Sequence, residues 1–310
     1  AIRPVVAYGA THTTVAHYPA QMRRLLLRTL AVLLLLVIVA ATGGYWYERP
    51  LLLTGSGYAA HSGCALRHVA GRTTTGDIDL PPNPLVPYLR TSVTDDSART
   101  TVLGALAGQK AWYTPGFGCT LAATKPDPGA ATAVTAGADL PIGSRPAALD
   151  AALATAFGDD LDAAGRTRLG TRAVVVLKDG RLIAERYAPG FDATTPQLGW
   201  SMSKSVTSLL TGVLVKEETV TPTTDHLRPE WTDDRAKITI DHLLRMTSGL
   251  TWDETYDLGT PITRMLYLEP DMGRYVASLP AAHAPGSYQL YSSGSTTLLC
   301  SVLATRTGAG

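Results

Sequence analysis

Net charge is almost absent from this 310-residue sequence, in which 27 Lys and Arg residues oppose 26 Asp and Glu residues. That balance argues against the basic surface on which nucleic-acid binding depends. Cysteine is also scarce: the chain has three, and no Cys and His residues show the paired spacing of a zinc site. We therefore expect no nucleic-acid partner, no metal and no other cofactor. A hydrophobic content of 45% is nevertheless normal for a chain that builds a core.

One long uncharged run lies near the N-terminus, where residues 29–47 follow three arginines. About 20 apolar residues span a bilayer, whereas the apolar region of a cleaved signal peptide usually has about 7–15. The length, the aromatic residues 45–47 and the lack of an Ala-x-Ala cleavage site favour an uncleaved signal anchor over 22–47, with a cleaved signal peptide as the alternative. Because the arginines precede the run, we expect a single-pass membrane protein whose C-terminal part lies outside the cytoplasm. Residues 1–21 are predicted to be a disordered upstream tail.

A Ser-x-x-Lys motif, Ser201 to Lys204, opens an apolar segment at 203–216 that is predicted to be a helix with its apolar residues buried. Positions three apart share one face of a helix, so the Lys204 amine can reach the Ser201 hydroxyl. A serine needs an adjacent base to act as a nucleophile, and a lysine is a base only when neutral. The positive end of the helix can also stabilise an oxyanion. The alternative is a serine N-cap followed by a solvated lysine.

The same serine lies in Gly-x-Ser-x-Ser, one residue short of the Gly-x-Ser-x-Gly elbow of α/β-hydrolases. That elbow requires a buried parallel strand before the serine, and Pro196 is incompatible with a central strand. The missing glycine and the presence of Lys204 both favour the Ser-Lys interpretation.

Two further motifs follow, His-Leu-Leu-x-x-Thr-Ser-Gly-Leu at 242–250 and Tyr-Ser-Ser at 291–293. With these motifs in this order, the sequence resembles the serine hydrolases of the beta-lactamase/penicillin-binding superfamily over residues 145–310. The similarity is greatest to the class C-like branch, which includes carboxylesterases and 6-aminohexanoate-dimer hydrolases. The resemblance implies an α+β fold, with an antiparallel sheet flanked by helices and a mainly helical lobe. The catalytic cleft is expected between them.

The resemblance also implies roles for individual residues. Ser201, Lys204 and Tyr291 would be catalytic, with Tyr291 passing the proton from the serine to the leaving group. Ser293 replaces an amide that contacts the substrate in penicillin-recognising members, which favours small esters or linear amides over beta-lactams. Tyr256 lies in a loop that borders the cleft and could contact substrate, the alternative being a solvated loop with one packed aromatic ring.

The family's third motif, a late Lys/His-x-Gly strand that donates one oxyanion N–H, does not occur before Gly310. We therefore interpret the chain as a C-terminally truncated member of the family, acting as a membrane-anchored serine hydrolase. Two other functions remain open: a catalytically inactive exported binding or scaffold module, and a beta-lactamase or DD-peptidase.

The exported part is predicted to divide at residue 140, with the partial hydrolase domain at 141–310. Before it, residues 48–140 form a small extracytoplasmic region that ends in an Ala/Thr/Gly-rich linker at 129–138. Cys64 and Cys119 both lie in this small region. Outside the cytoplasm they favour a disulfide, and two unpaired buried thiols are the alternative.

Local patterns predict three elements of the hydrolase domain. Residues 147–157 read as a helix, and 172–187 read as a β-hairpin with Asp-Gly at the turn. An apolar helix is predicted over 295–306, with Cys300 in the core. His242 and His283 have no spacing that suggests a Ser-His-Asp triad, and we expect both to be structural.

Overall fold

The structure is a computed structural model that describes residues 20–72, 84–129, 139–197 and 199–308. Nearly all of the predicted tail at 1–21 and of the predicted linker at 129–138 lies outside the described residues. The chain divides into two units, Ala1–Pro50 and Leu51–Gly310.

In the first unit, the described residues form the N-terminal part of helix α1 (Ala20–Cys64), which contains Pro50. The large apolar side chains between Leu25 and Val39 are all at least half exposed. The uncharged run 29–47 would extend about 28 Å along a helix, close to the thickness of a bilayer core. This helix is long and apolar enough to cross a membrane, a test that a signal sequence near an N-terminus also passes.

The second unit begins with the remainder of α1, which continues into a π-helical turn, Ala65–Val69. Small side chains allow a close approach between this part of α1 and a sheet, and Ala60 and Cys64 pack against two alanines of the strands. The Ser56 hydroxyl donates to the Ala107 carbonyl at 2.6 Å. The same helix that is exposed before Pro50 is therefore largely buried after it.

The sheet packed on α1 is antiparallel, with the strand order β1-β2-β3-β4. Its strands are β1 (Leu89–Val93), β2 (Ser97–Val102), β3 (Leu106–Thr114) and β4 (Gly118–Leu121). The sulfur atoms of Cys64 and Cys119 are bonded, which joins the end of α1 to the edge strand β4.

A second group of elements follows: α2 (Ala148–Phe157), α3 (Ala163–Leu169), β5 (Ala173–Lys178) and β6 (Arg181–Tyr187). The two strands form an antiparallel hairpin. At its turn Asp179 and Gly180 both have positive φ, 49° and 72°, as a type I′ turn requires. The helix and the hairpin predicted from the sequence at these positions are therefore present.

Four helices make the helical lobe: α5 (Ile240–Leu244), α6 (Pro261–Leu268), α7 (Met272–Ser278) and α8 (Ser293–Thr307). Their shared core consists of fully buried apolar side chains: Ile238, Ile240, Leu243, Ile262, Met265, Val276, Leu298, Leu299 and Val302. With its antiparallel strands and this helical lobe, the described chain confirms the predicted α+β class.

Two predictions about burial are wrong. Helix α4 (Met202–Lys216) buries Thr211 but exposes the large apolar side chains of Val206, Leu209, Leu210 and Val213. Within the described residues α4 packs mainly against α8, and of its apolar side chains Leu214 and Val215 are partly buried against the helical core. Cys300, predicted to lie in the core, is exposed on α8, with its Sγ 3.7 Å from the Thr207 hydroxyl of α4.

Candidate active site

Ser201 and Lys204 meet at the first turn of α4. The Lys204 Nζ donates to Ser201 Oγ at 3.0 Å, the contact that three-residue spacing on a helix allows. Ser201 occupies the N-cap position, but its side chain accepts no hydrogen bond from a helix N–H. The hydroxyl is therefore committed to the lysine and not to capping, which distinguishes this site from a serine N-cap followed by a solvated lysine.

The residue before the serine has an unusual backbone conformation. Trp200 has a φ of 44°, in the left-handed region that bulky residues rarely adopt. Its ring makes edge-to-face contacts with Tyr256, at 6.0 Å between centroids, and with Tyr58 of α1, at 6.1 Å. These two aromatic rings hold the indole, and with it the turn that directs Ser201 out of the fold.

Lys204 has a second partner 89 residues away. Its Nζ donates to the Ser293 hydroxyl at 2.9 Å. Ser293 is the first residue of α8, and the preceding Ser292 caps that helix by accepting from the Ser295 N–H at 3.0 Å. The N-cap therefore fixes the start of α8, and the next residue presents its hydroxyl to Lys204.

Glu254 completes this arrangement and was not singled out from the sequence. Its Oε1 accepts from the Ser293 hydroxyl at 2.5 Å, and its Oε2 accepts from the Ser293 N–H at 2.9 Å and from Trp252 Nε1 at 2.5 Å. A carboxylate is favourable at the positive end of a helix. Gly294 leaves space for the Trp252 ring, whose Nε1 donates to Glu254, because a Cβ at position 294 would come within 2.6 Å of that ring.

This network sets the direction of the hydrogen bonds. The Ser293 hydroxyl has one proton, which points to a carboxylate oxygen that can only accept. Ser293 must therefore accept from Lys204 and cannot donate to it. Whenever the amine is neutral, its lone pair is left for the Ser201 hydroxyl.

The two tyrosines predicted from the sequence also lie in this region. The ring centroid of Tyr291 is 4.9 Å from Lys204 Nζ, and its hydroxyl forms no hydrogen bond with a described residue. Burial, reinforced by the nearby charge of Glu254, raises the pKa of Tyr256 to about 12. Tyr256 is therefore a protonated hydrogen-bond donor throughout the neutral range.

A cavity of about 680 Å³ opens in front of the serine. Its lining includes Ser201, Lys204, Ser293 and Tyr256, together with residues of α1, β3 and β4, among them Cys119 of the disulfide. Tyr291 lies beside Lys204 but not among the residues that line the cavity. Five predicted site residues are thus brought together, and Cys119 of the predicted cysteine pair lines the same cavity.

The histidines take other roles. His242 Nδ1 accepts from the Thr239 N–H at 3.2 Å in a capping box at the start of α5. His283 stacks on Tyr288 with ring centroids 4.3 Å apart. Within the described ranges, no three His, Cys, Asp or Glu side chains are grouped as metal ligands could be.

Comparisons with known proteins identify the family of the second half of the chain. Residues 151–310 match the family described as Beta-lactamase. Among solved structures, the chain is similar to the "Putative 6-aminohexanoate-dimer hydrolase from Bacillus anthracis", with 22% identity and a TM-score of 0.37. That similarity covers 44% of this chain and 40% of the other, so the chain spans well under two thirds of that protein's length. No curated protein matches the sequence.

Proposed function

Because the chain belongs to the beta-lactamase family of serine hydrolases, we propose that it is a class C-like member that cleaves small esters or linear amides through an acyl-enzyme. The observation that carries the proposal is the position of Lys204 Nζ, 3.0 Å from Ser201 Oγ and 2.9 Å from Ser293 Oγ. A nucleophile within reach of a base that a third group orients is the arrangement that activates a serine.

In the proposed reaction, Ser201 Oγ attacks the carbonyl carbon while its proton passes to the neutral Lys204 amine. The carbonyl oxygen becomes an oxyanion near the N-terminus of α4, where backbone N–H groups and the helix dipole stabilise negative charge. Collapse of this intermediate breaks the bond to the leaving group, which takes up a proton through Tyr291 from Lys204. Water then attacks the acyl-enzyme by the reverse use of the same groups, releasing the acid and free Ser201.

The Ser293 environment supports the choice of substrate. An amide side chain at this position would offer both a donor and an acceptor to a substrate. The Ser293 hydroxyl donates to Glu254 and accepts from Lys204, so its proton is not available for recognition. We therefore assign simple esters and linear amides, and not beta-lactams, as substrates.

The same proposal makes the protein a single-pass membrane protein with residues 48–310 outside the cytoplasm. The apolar part of α1 supports the anchor, and the Cys64–Cys119 disulfide supports an oxidising compartment. Alkaline carbonate extraction tests the anchor. Thiol alkylation of intact cells, with and without reduction, tests whether the disulfide forms in place.

Activity is tested with a fluorophosphonate probe followed by peptide mass spectrometry. We expect labelling on the peptide that contains Ser201, and its loss in Ser201→Ala with the fold retained. Hydrolysis of p-nitrophenyl acetate should be faster than that of nitrocefin in kcat/KM. Labelling that persists in Ser201→Ala would refute the nucleophile, and a preference for nitrocefin would refute the substrate class.

A further inference from the structure

Part of the cavity wall comes from residues that precede the matched family region 151–310. This wall is formed by the end of α1, by β3 and by β4 with the residues that follow it. It includes the side chains of His61, Gln109, Leu121 and Ala123.

This wall is fixed to the catalytic region at several points. Tyr58 of α1 contacts Trp200, the residue before the nucleophile, and also Tyr267 of α6 at 5.2 Å between ring centroids. Gln109 Nε2 donates to the Tyr267 carbonyl at 3.0 Å. The disulfide joins α1 to β4 within the wall itself. The wall is therefore held in register with Ser201, as a binding surface must be.

The lining carries few charges. Lys204 is the one lysine or arginine among the described residues that line the cavity, and it belongs to the catalytic network. Glu269 is neutralised by Arg264 at 2.7 Å. Burial lowers the pKa of His61, which favours its uncharged form. The remaining lining side chains are apolar, hydroxyl or amide groups, a surface that suits an uncharged chain and offers no separate cation to a carboxylate.

The position of Tyr291 decides which part of the substrate enters. As the proposed donor to the leaving group, Tyr291 marks the side from which that group departs. On this assignment the leaving group departs on the side of Tyr291, which lies beside Lys204 but is not among the residues that line the cavity. The part that remains bound to Ser201, the acyl chain, then occupies the cavity.

We propose that the end of α1 together with β3 and β4 forms an acyl-chain subsite, which selects an elongated, uncharged acyl group for transfer to Ser201. This inference rests on the proposed function. The volume of about 680 Å³ is within the range of small-molecule sites and far exceeds an acetyl group. Residues of the matched family region would carry out the reaction, and the residues before it would determine the preference for the acyl group.

The test uses the full chain in detergent and three fluorophosphonates with the same reacting group, carrying an ethyl, an octyl or a terminally carboxylated alkyl chain on phosphorus. The rate of Ser201 labelling is measured for each by mass spectrometry. We expect the octyl probe to react at least about tenfold faster than the ethyl probe, because buried methylene groups favour binding. The carboxylated probe should react more slowly than the octyl probe.

Leu121→Phe narrows the subsite from β4, where Leu121 lies on the face of the sheet that packs on α1 and lines the cavity. Leu106→Phe makes the same change at the start of β3, where Leu106 is exposed and does not line the cavity. The octyl-to-ethyl ratio should fall about tenfold in Leu121→Phe and stay unchanged in the Leu106→Phe control. Comparing the variants in one detergent cancels the partition of the probes into micelles. If Leu121→Phe does not fold by circular dichroism, Ala123→Phe, exposed beyond β4, replaces it.

The outcomes separate the two proposals. Labelling of Ser201 with a ratio that neither variant changes would overturn the subsite and leave the serine hydrolase standing. Fastest labelling by the carboxylated probe would overturn the uncharged acyl group. Failure of every probe to label Ser201 would overturn the proposed function itself, and the subsite with it.

Discussion

Replacing Glu254 by Gln should slow the reaction without disturbing the fold, because it reverses one hydrogen bond. The carboxylate accepts three hydrogen bonds, two at Oε2 and one at Oε1. A glutamine can keep the two at Oε2 by placing its oxygen there. Its NH2 group then faces the Ser293 hydroxyl and donates to it. The Ser293 proton must turn away, toward Lys204, where it competes with Ser201 for the amine lone pair.

The magnitude follows from the bond that is exchanged. A hydrogen bond to a charged group contributes about 1.5–3 kcal/mol and a neutral one about 0.5–1.5 kcal/mol, so the change costs roughly 1–2 kcal/mol. Each 1.36 kcal/mol in the barrier is a factor of ten in rate. We therefore expect kcat to fall about 5- to 30-fold. KM should change little, because Glu254 does not line the cavity.

The assay is p-nitrophenyl acetate hydrolysis with separate determination of kcat and KM. Asp253→Asn is the matched control, since this neighbouring exposed carboxylate bonds only within its own turn, to the N–H and hydroxyl of Thr255. Ser293→Ala should slow kcat to a similar extent, and adding Glu254→Gln to it should cost little more, because both act through one hydroxyl. A Glu254→Gln enzyme within threefold of the wild type, or fully additive losses, would refute the reasoning.

Three further predictions concern other parts of the molecule. Because the pKa of Tyr256 is about 12, its hydroxyl should cause no inflection in the pH–rate profile between about pH 7 and 10. Tyr256→Phe should therefore leave the alkaline part of that profile unchanged. Loss of an inflection in this variant would contradict the prediction. Cys119→Ser should lower the free energy of unfolding by about 4 kcal/mol, as expected for a cross-link between residues 55 apart. Equal melting temperatures of the wild type with and without reductant would exclude a stabilising disulfide. Leu209→Lys, at a side chain 73% exposed, should reduce binding of an apolar dye with an unchanged melting temperature; a drop of more than about 5 °C would mean that Leu209 is buried in solution.

Local patterns in the sequence predict the structural features that depend only on residues close together in the chain. The Asp-Gly turn predicts the β5–β6 hairpin because its conformation depends on two residues, and three-residue spacing predicts the Ser201–Lys204 contact because both lie on one helical turn. Which side of α4 is buried depends instead on what packs against it. The apolar pattern of that helix therefore predicted a buried face that the described residues do not cover.

Glu254 was missed for a related reason. A carboxylate in a polar loop is an ordinary surface residue by composition, and the Trp252-x-Glu254 spacing indicates at most a local hydrogen bond. Its function-bearing contacts are with Ser293, 39 residues later, and exist only because α8 starts at that point. The sequence could have indicated Glu254 only indirectly, because the Ser293 hydroxyl, two residues after Tyr291, needs an acceptor for its proton.

The sequence division at residue 140 also separates groups that act on one cavity. Trp200 belongs to the region that carries the nucleophile, yet its ring contacts Tyr58 from the region before. A residue with a φ of 44° needs surrounding contacts to hold it, and one of the two aromatic contacts comes from α1. If the turn before Ser201 depends on that contact, Tyr58→Ala should slow labelling of Ser201 by every probe alike, whereas Leu121→Phe should change only the ratio between probes. The two effects distinguish support of the nucleophile from selection of the acyl chain, although both arise from residues outside the matched family region.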